Sequence, residues 1–207
     1  MIPCHLLKML IELNRTKISL PFPFSAVVTL MLLLCNNEIV LISLFSSLFH
    51  ELGHLFFMLL FREAPSLIVF GAFGIRIERR NRGYLSYKKE ALIALGGIFG
   101  NLIIVITALP FAFFLKSSWA MKIISVNLLI ALFNMLPVRV LDFGKCLECI
   151  LSFRLSSEKG ERILSALSLI TAVSIMIFSL LYNVFIGINV SFIAVSIYII
   201  LVTTLKE

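Results

Sequence analysis

The chain has 207 residues, 60% of them hydrophobic and 14% charged, with a mean hydropathy of +1.08. Soluble domains run to about 45–50% apolar and about 25% charged residues, so a water-soluble enzyme, a soluble zincin included, is excluded and an all-α polytopic membrane protein is expected. The net charge of +7 does not indicate nucleic acid, because the basic residues follow membrane topology and suit the head groups of a lipid bilayer.

Apolar runs long enough to cross about 30 Å of hydrocarbon, roughly 20 helical residues, fall at 19–36, 39–61, 91–115, 119–137 (continuing past a break to 153), 163–182 and 185–205. About six spans leave both termini on one side. Every lysine and arginine except Lys116 and Lys122 falls on that side, so the positive-inside rule predicts a multi-pass protein of the cell membrane with both termini in the cytoplasm. No polar leader with a cleavage site precedes the first run, which is expected to stay in the membrane.

Residues 1–18 intersperse Leu6, Leu7, Met9, Leu10, Ile11 and Leu13 with His5, Lys8, Glu12, Arg15 and Lys17, and read as a short amphipathic helix on the cytoplasmic surface. Leu20-Pro21-Phe22-Pro23 opens the first span, since proline is tolerated near a helix start. Asn36-Asn37 supplies an outer turn.

Within the second run stands His50-Glu51-Leu52-Gly53-His54. Helical spacing puts both imidazoles on one face, one turn apart, where they can grip one Zn2+ ion, with Glu51 beside the metal to take a proton from bound water. A charged side chain at mid-membrane costs about 2.5–3.5 kcal/mol on insertion scales, so a buried motif of this kind needs a partner or a purpose. At 1.5 Å per residue, His54 lies roughly 12 Å and His50 roughly 18 Å in from Arg62.

From Arg62 to Glu90 the character changes. Residues 66–78 are β-branched and punctuated by Gly71 and Gly74, Arg80-Asn81-Arg82-Gly83 has turn chemistry, and Tyr84 to Lys88 could return as a second strand. A small membrane-associated β-hairpin or sheet on the cytoplasmic side is expected over 66–88, its glycine-rich edge able to take up an extended peptide; a plain cytoplasmic linker is the simpler alternative. Gly96-Gly97 and Gly100-Asn101 open the third span, where small residues let helices approach and Asn101 could bond across the contact.

Cys146 and Cys149 look like half of a metal or redox site, but no second pair completes it, and they read as small core residues.

A catalytic zinc needs a third protein ligand and a position left for water. His5 lies far from the motif. Asp142 is the only aspartate, at the cytoplasmic end of an apolar helix opened by Pro137, in Asn134-Met135-Leu136-Pro137-Val138-Arg139-Val140-Leu141-Asp142-Phe143-Gly144. Glu148, Glu78 and Glu63 are weaker candidates, and the plain alternative makes Asp142 an interfacial charge paired with Arg139 or Lys145.

His50-Glu51-x-x-His54 in a span, a glycine-rich span start, and Asn134-x-x-Pro137 followed by Leu141-Asp142 together resemble the site-2 protease family of intramembrane zinc metalloproteases, specifically its six-span bacterial class. The resemblance covers about residues 20–155. It implies a single integral-membrane peptidase domain over 1–207, with an N-terminal segment 1–18, a catalytic core 19–153 and a C-terminal helical pair 163–205. It further implies His50, His54 and Asp142 as zinc ligands, Glu51 as general base and Asn134 as a group on the scissile carbonyl or oxyanion. Gly71 and Gly74 of the hairpin, with Asn101, would contact substrate. The implied partner is a membrane-protein substrate, a single-span or membrane-associated precursor or regulator, with a membrane regulatory partner for control. Three departures stand out: Phe143 where the family has glycine, Ile98 where proline is common, and Arg139 among usually apolar positions. A catalytically inactive, site-2-protease-like membrane binding protein is the alternative, and a metal transporter is disfavoured because residues 163–205 carry no charge.

Overall fold

The computed structural model describes residues 8–13, 16–21, 38–63, 65–71, 74–79 and 86–185, together with Ile197 and Ile200. These fall into two compact units, one from residues 1–85 and 96–131, the other from 86–95 and 132–207.

The first unit begins with strands β1 (Lys8–Leu13) and β2 (Thr16–Pro21), and later adds β3 (Pro65–Gly71) and β4 (Gly74–Arg79). They form one sheet in the order β1-β2-β3-β4, antiparallel except for the parallel β2–β3 pair. Three sequence expectations change here. The described part of residues 1–18 is extended rather than helical: Lys8 pairs with Pro21, and Leu13 with Thr16. The strand pair after Arg62 turns earlier than expected, between Gly71 and Gly74, which face each other in register. Of the return strand expected at 84–88, residues 84 and 85 lie outside the described residues, and Tyr87 and Lys88 belong to a helix instead. Glycines at the two ends of that turn suit a tight reversal.

Helix α1 (Glu38–Leu60) carries the histidine motif. It stops where Arg62 adopts a left-handed backbone with φ 59°, and the Glu63 amide bonds back to the Met58 carbonyl at 2.8 Å, a Schellman-type closure. Helix α2 (Tyr87–Phe114) belongs to this unit from Gly96 onward. There the two backbones nearly touch: a Cβ on Gly96 would lie 2.6 Å from the Gly53 carbonyl oxygen, and one on Gly53 would strike the Gly96 carbonyl. Lys116, at φ 47°, turns the chain into α3 (Ser118–Asn134), whose Ala120 amide is capped by Ser117 Oγ at 3.3 Å.

The second unit holds the first turns of α2, a break after Asn134, and helices α4 (Asp142–Arg154) and α5 (Ser157–Phe185). Val138 and Ala172 are fully buried at its centre, packed with Leu136, Val140, Leu141 and Ile175. The fourth run has the break expected of it: α3 ends at Asn134, three residues before the expected 137, and a separate helix, α4, runs from Asp142 to Arg154.

Among the described residues, three helices are long and apolar enough to cross a membrane, Glu38–Leu60, Tyr87–Phe114 and Glu158–Tyr182, and α3 is a shorter apolar helix. The expected span at 185–205, and that at 19–36 apart from the end of β2, lie outside the described residues save for Phe185, which ends α5, and Ile197 and Ile200. Phe45, Phe56, Ile103 and Phe113 are exposed on α1 and α2, a surface suited to hydrocarbon rather than water.

Candidate metal centre

The site begins with the angular spacing of α1. Ile42, Ser46, His50 and Met58 are its buried residues, spaced at intervals of four or eight along a ridge that winds slowly around the helix. His54 lies half-buried in the same row, one turn from His50 and on the same face as it. The Nε2 atoms of His50 and His54 are 3.3 Å apart, with the rings 82° to each other and their centroids 5.0 Å apart. Two nitrogens bound at 2.0–2.1 Å to a tetrahedral zinc stand about 3.3–3.4 Å apart. The separation of the two imidazoles is thus that of neighbouring ligands on one ion. Glu51 follows His50 on the next position of the helix and is half-buried.

Helix α2 supplies the wall. A Cβ on Gly97 would lie 2.5 Å from His50 Nε2 and 2.5 Å from His54 Nε2, so only a glycine fits against the nitrogens that converge. One turn further, Asn101 is fully buried, and its amide has no hydrogen-bond partner among the described residues; the bond expected across the helix contact is not made.

Helix α3 fixes the rotation of α1. Asn127, almost completely buried, donates from Nδ2 to Ser46 Oγ at 2.9 Å and to its own helix at the Ile123 carbonyl, 2.8 Å away. Ser46 is one turn before His50, so this bond holds the histidine face in place. Neither residue was singled out from sequence, although an asparagine within an apolar helix is itself a signal, because an amide in hydrocarbon requires a partner.

In the second unit, Asp142 opens α4 and is buried, its side chain 5% exposed. Lys145 donates to its Oδ1 at 3.1 Å. The bend that delivers Asp142 is tightly built: the Arg139 amide donates to the fully buried Ser168 Oγ at 3.0 Å, and Arg139 Nη2 reaches Glu161 at 3.1 Å and Glu148 at 3.5 Å. A Cβ on Gly144 would strike the Val138 carbonyl and lie 2.9 Å from Arg139 Cα, so the helix start folds directly onto the bend. The position that demands glycine here is thus 144.

Among the described residues, His50, His54 and Asp142 form the group of histidine, cysteine and acidic side chains compatible with holding a metal ion. Two imidazoles and a carboxylate are a zinc-type donor set. Glu63 and Glu148 are not in that group, and Glu148 pairs with Arg139 instead; the side chain of Glu78 lies outside the described residues. Asn134 is the last residue of α3 and half-buried. Gly71 and Gly74 stay with the sheet, at the turn between β3 and β4. Burial, with Glu90 next to it, pushes the Cys149 thiol up to about 12, and burial raises Cys146 as well, which disfavours the thiolate at both.

No family model matches the chain, and neither does any curated protein. Among solved structures, the site-2 protease from Methanocaldococcus jannaschii is similar over 96% of this chain and 94% of that one, with a TM-score of 0.67 and 19% identity. The chain has the site-2 protease fold.

Proposed function

We propose that the protein is a zinc-dependent intramembrane endopeptidase that hydrolyses a peptide bond in or near the transmembrane segment of a membrane-protein substrate. The reading is carried by the 3.3 Å approach of His50 Nε2 and His54 Nε2 inside a helix apolar enough to cross the bilayer. The site-2 protease fold and the compatible third donor, Asp142, support it.

His50, His54 and Asp142 would hold the ion. When bound, zinc acidifies a coordinated water and polarises the scissile carbonyl. Glu51 accepts the proton of the attacking water and passes it to the leaving amine, the work of a general base that becomes a general acid. Asn134 hydrogen-bonds the scissile carbonyl or the oxyanion. Asn101, a buried amide one turn from Gly97, offers substrate a further polar contact. A helical peptide bond is shielded and hydrogen-bonded, so the substrate must unwind locally, and the hairpin around Gly71 and Gly74 offsets part of that cost through backbone hydrogen bonds. Water would reach the metal from the cytoplasmic side, which is the nearer.

The protein acts in the cell membrane as a multi-pass enzyme with cytoplasmic termini, on a single-span or membrane-associated precursor or regulator, under a membrane regulatory partner. The test is cleavage of a single-span reporter substrate in proteoliposomes. Wild type is expected to cut, and Glu51→Gln to retain zinc while losing cleavage by at least two orders of magnitude. A Glu51→Gln protein that cuts at the wild-type rate ends the proposal.

A further inference from the structure

We propose that Lys145 is a positioning residue for the metal centre: its ammonium binds one oxygen of the Asp142 carboxylate and thereby aims the other at the metal. The inference rests on Asp142 being a ligand.

The two side chains differ sharply in setting. That of Asp142 is 5% exposed and that of Lys145 54% exposed, so a solvated lysine reaches inward to a buried carboxylate rather than pairing with it at the surface. Its Nζ lies 3.1 Å from Oδ1, whereas Oδ2 is also buried. A carboxylate with Oδ1 fixed in this way can serve as a one-oxygen ligand of defined direction. Outer hydrogen bonds of this kind commonly orient metal ligands.

Position in the helix points the same way. Lys145 sits in the opening turns of α4, its amide bonded to the Leu141 carbonyl at 3.0 Å. A cation there opposes the helix dipole, which favours negative charge at an N-terminus. The contact with Asp142 offsets that penalty. Lysine at this position has a local cost and a specific use.

The test measures zinc affinity of the full chain in detergent by competition with a fluorescent chelator, for wild type, Lys145→Met and Lys145→Arg. Methionine keeps the stem and removes the donor; because the lysine is more than half exposed, folding is expected to survive, and thermal unfolding of the metal-free proteins checks it. The expected result is a zinc Kd raised about 10–100-fold in Lys145→Met, and restored to within about threefold by Lys145→Arg, whose guanidinium supplies the same charge and donor. An unchanged or tighter Kd in Lys145→Met overturns the role of Lys145 and leaves the metal site standing. Failure of the wild type to take up zinc overturns both this role and the proposed function.

Discussion

Gly97 of α2 lies so close to His54 of α1 that a methyl group on its Cα would sit 2.5 Å from the imidazole Nε2. The absent side chain is therefore part of how the ligand nitrogens are placed. Gly97→Ala is expected to displace both rings and to lower zinc affinity at least tenfold. The strain of a methylene-sized insertion into a packed core costs about 1–3 kcal/mol. Zinc binding and thermal unfolding, measured together, separate the two effects. Wild-type affinity in Gly97→Ala would contradict the close approach.

In the second unit, the two residues after Asp142 should differ in how much a substitution costs. Gly144→Ala meets backbone, the Val138 carbonyl and Arg139 Cα, which cannot swing aside as a side chain can. It is expected to destabilise by about 1–3 kcal/mol or more. Phe143→Gly restores the residue common in site-2 proteases yet should cost about 0.5–1 kcal/mol, the usual penalty of glycine within a helix. Ranking the unfolding midpoints of the two variants checks the expectation.

Asn127 and Ser46 share a buried hydrogen bond of 2.9 Å. In membrane proteins such bonds contribute about 0.6 kcal/mol on average and up to about 1.7. Asn127→Leu is expected to lose about 1 kcal/mol and to loosen the histidine face, whereas Asn127→Gln should fall between. Unfolding in detergent, with zinc affinity as the second readout, distinguishes stability from ligand placement.

Cys149 should resist alkylation. With its thiol at about 12, its thiolate fraction at pH 8 is on the order of one in 10^4. The raised value means the neutral form persists until the pH approaches 12, so labelling should climb about tenfold per unit between pH 8 and 11. Unfolding returns the thiol to its ordinary value near 9.0 and should accelerate labelling at pH 8 by about 10^3. Rapid labelling of the folded protein at pH 8 would show that Cys149 is not held in this setting.

The parts of this molecule legible in its sequence are those set by local periodicity. Intervals of four place His50 and His54 on one helical face without reference to anything else in the chain, and the helices around 39–61, 91–115 and 163–182 follow from apolar length alone. Gly96 and Gly97 announce a close helix contact because nothing else explains two glycines in a span. The N-terminal strands were not legible for the opposite reason. Lys8–Leu13 and Thr16–Pro21 mix apolar and charged residues in a pattern that also fits a surface helix; the second of them pairs with residues 67–69, some fifty positions away, and the first joins the sheet only through the second. Likewise, the break at Asn134 was legible from Pro137, but the separate start of α4 depends on Gly144 meeting Val138, a contact that no spacing reveals. Asn127 escaped notice because its partner, Ser46, is 81 residues away.

The central claim, that this fold holds one zinc between two imidazoles and a carboxylate at membrane depth, is tested most directly by X-ray absorption at the zinc edge of the purified protein. The expected spectrum shows nitrogen and oxygen neighbours at about 2.0–2.2 Å with imidazole scattering, at one zinc per chain, lost in His54→Ala. A protein without stoichiometric zinc, or a zinc with sulfur neighbours at about 2.3 Å supplied by Cys146 and Cys149, would contradict the account.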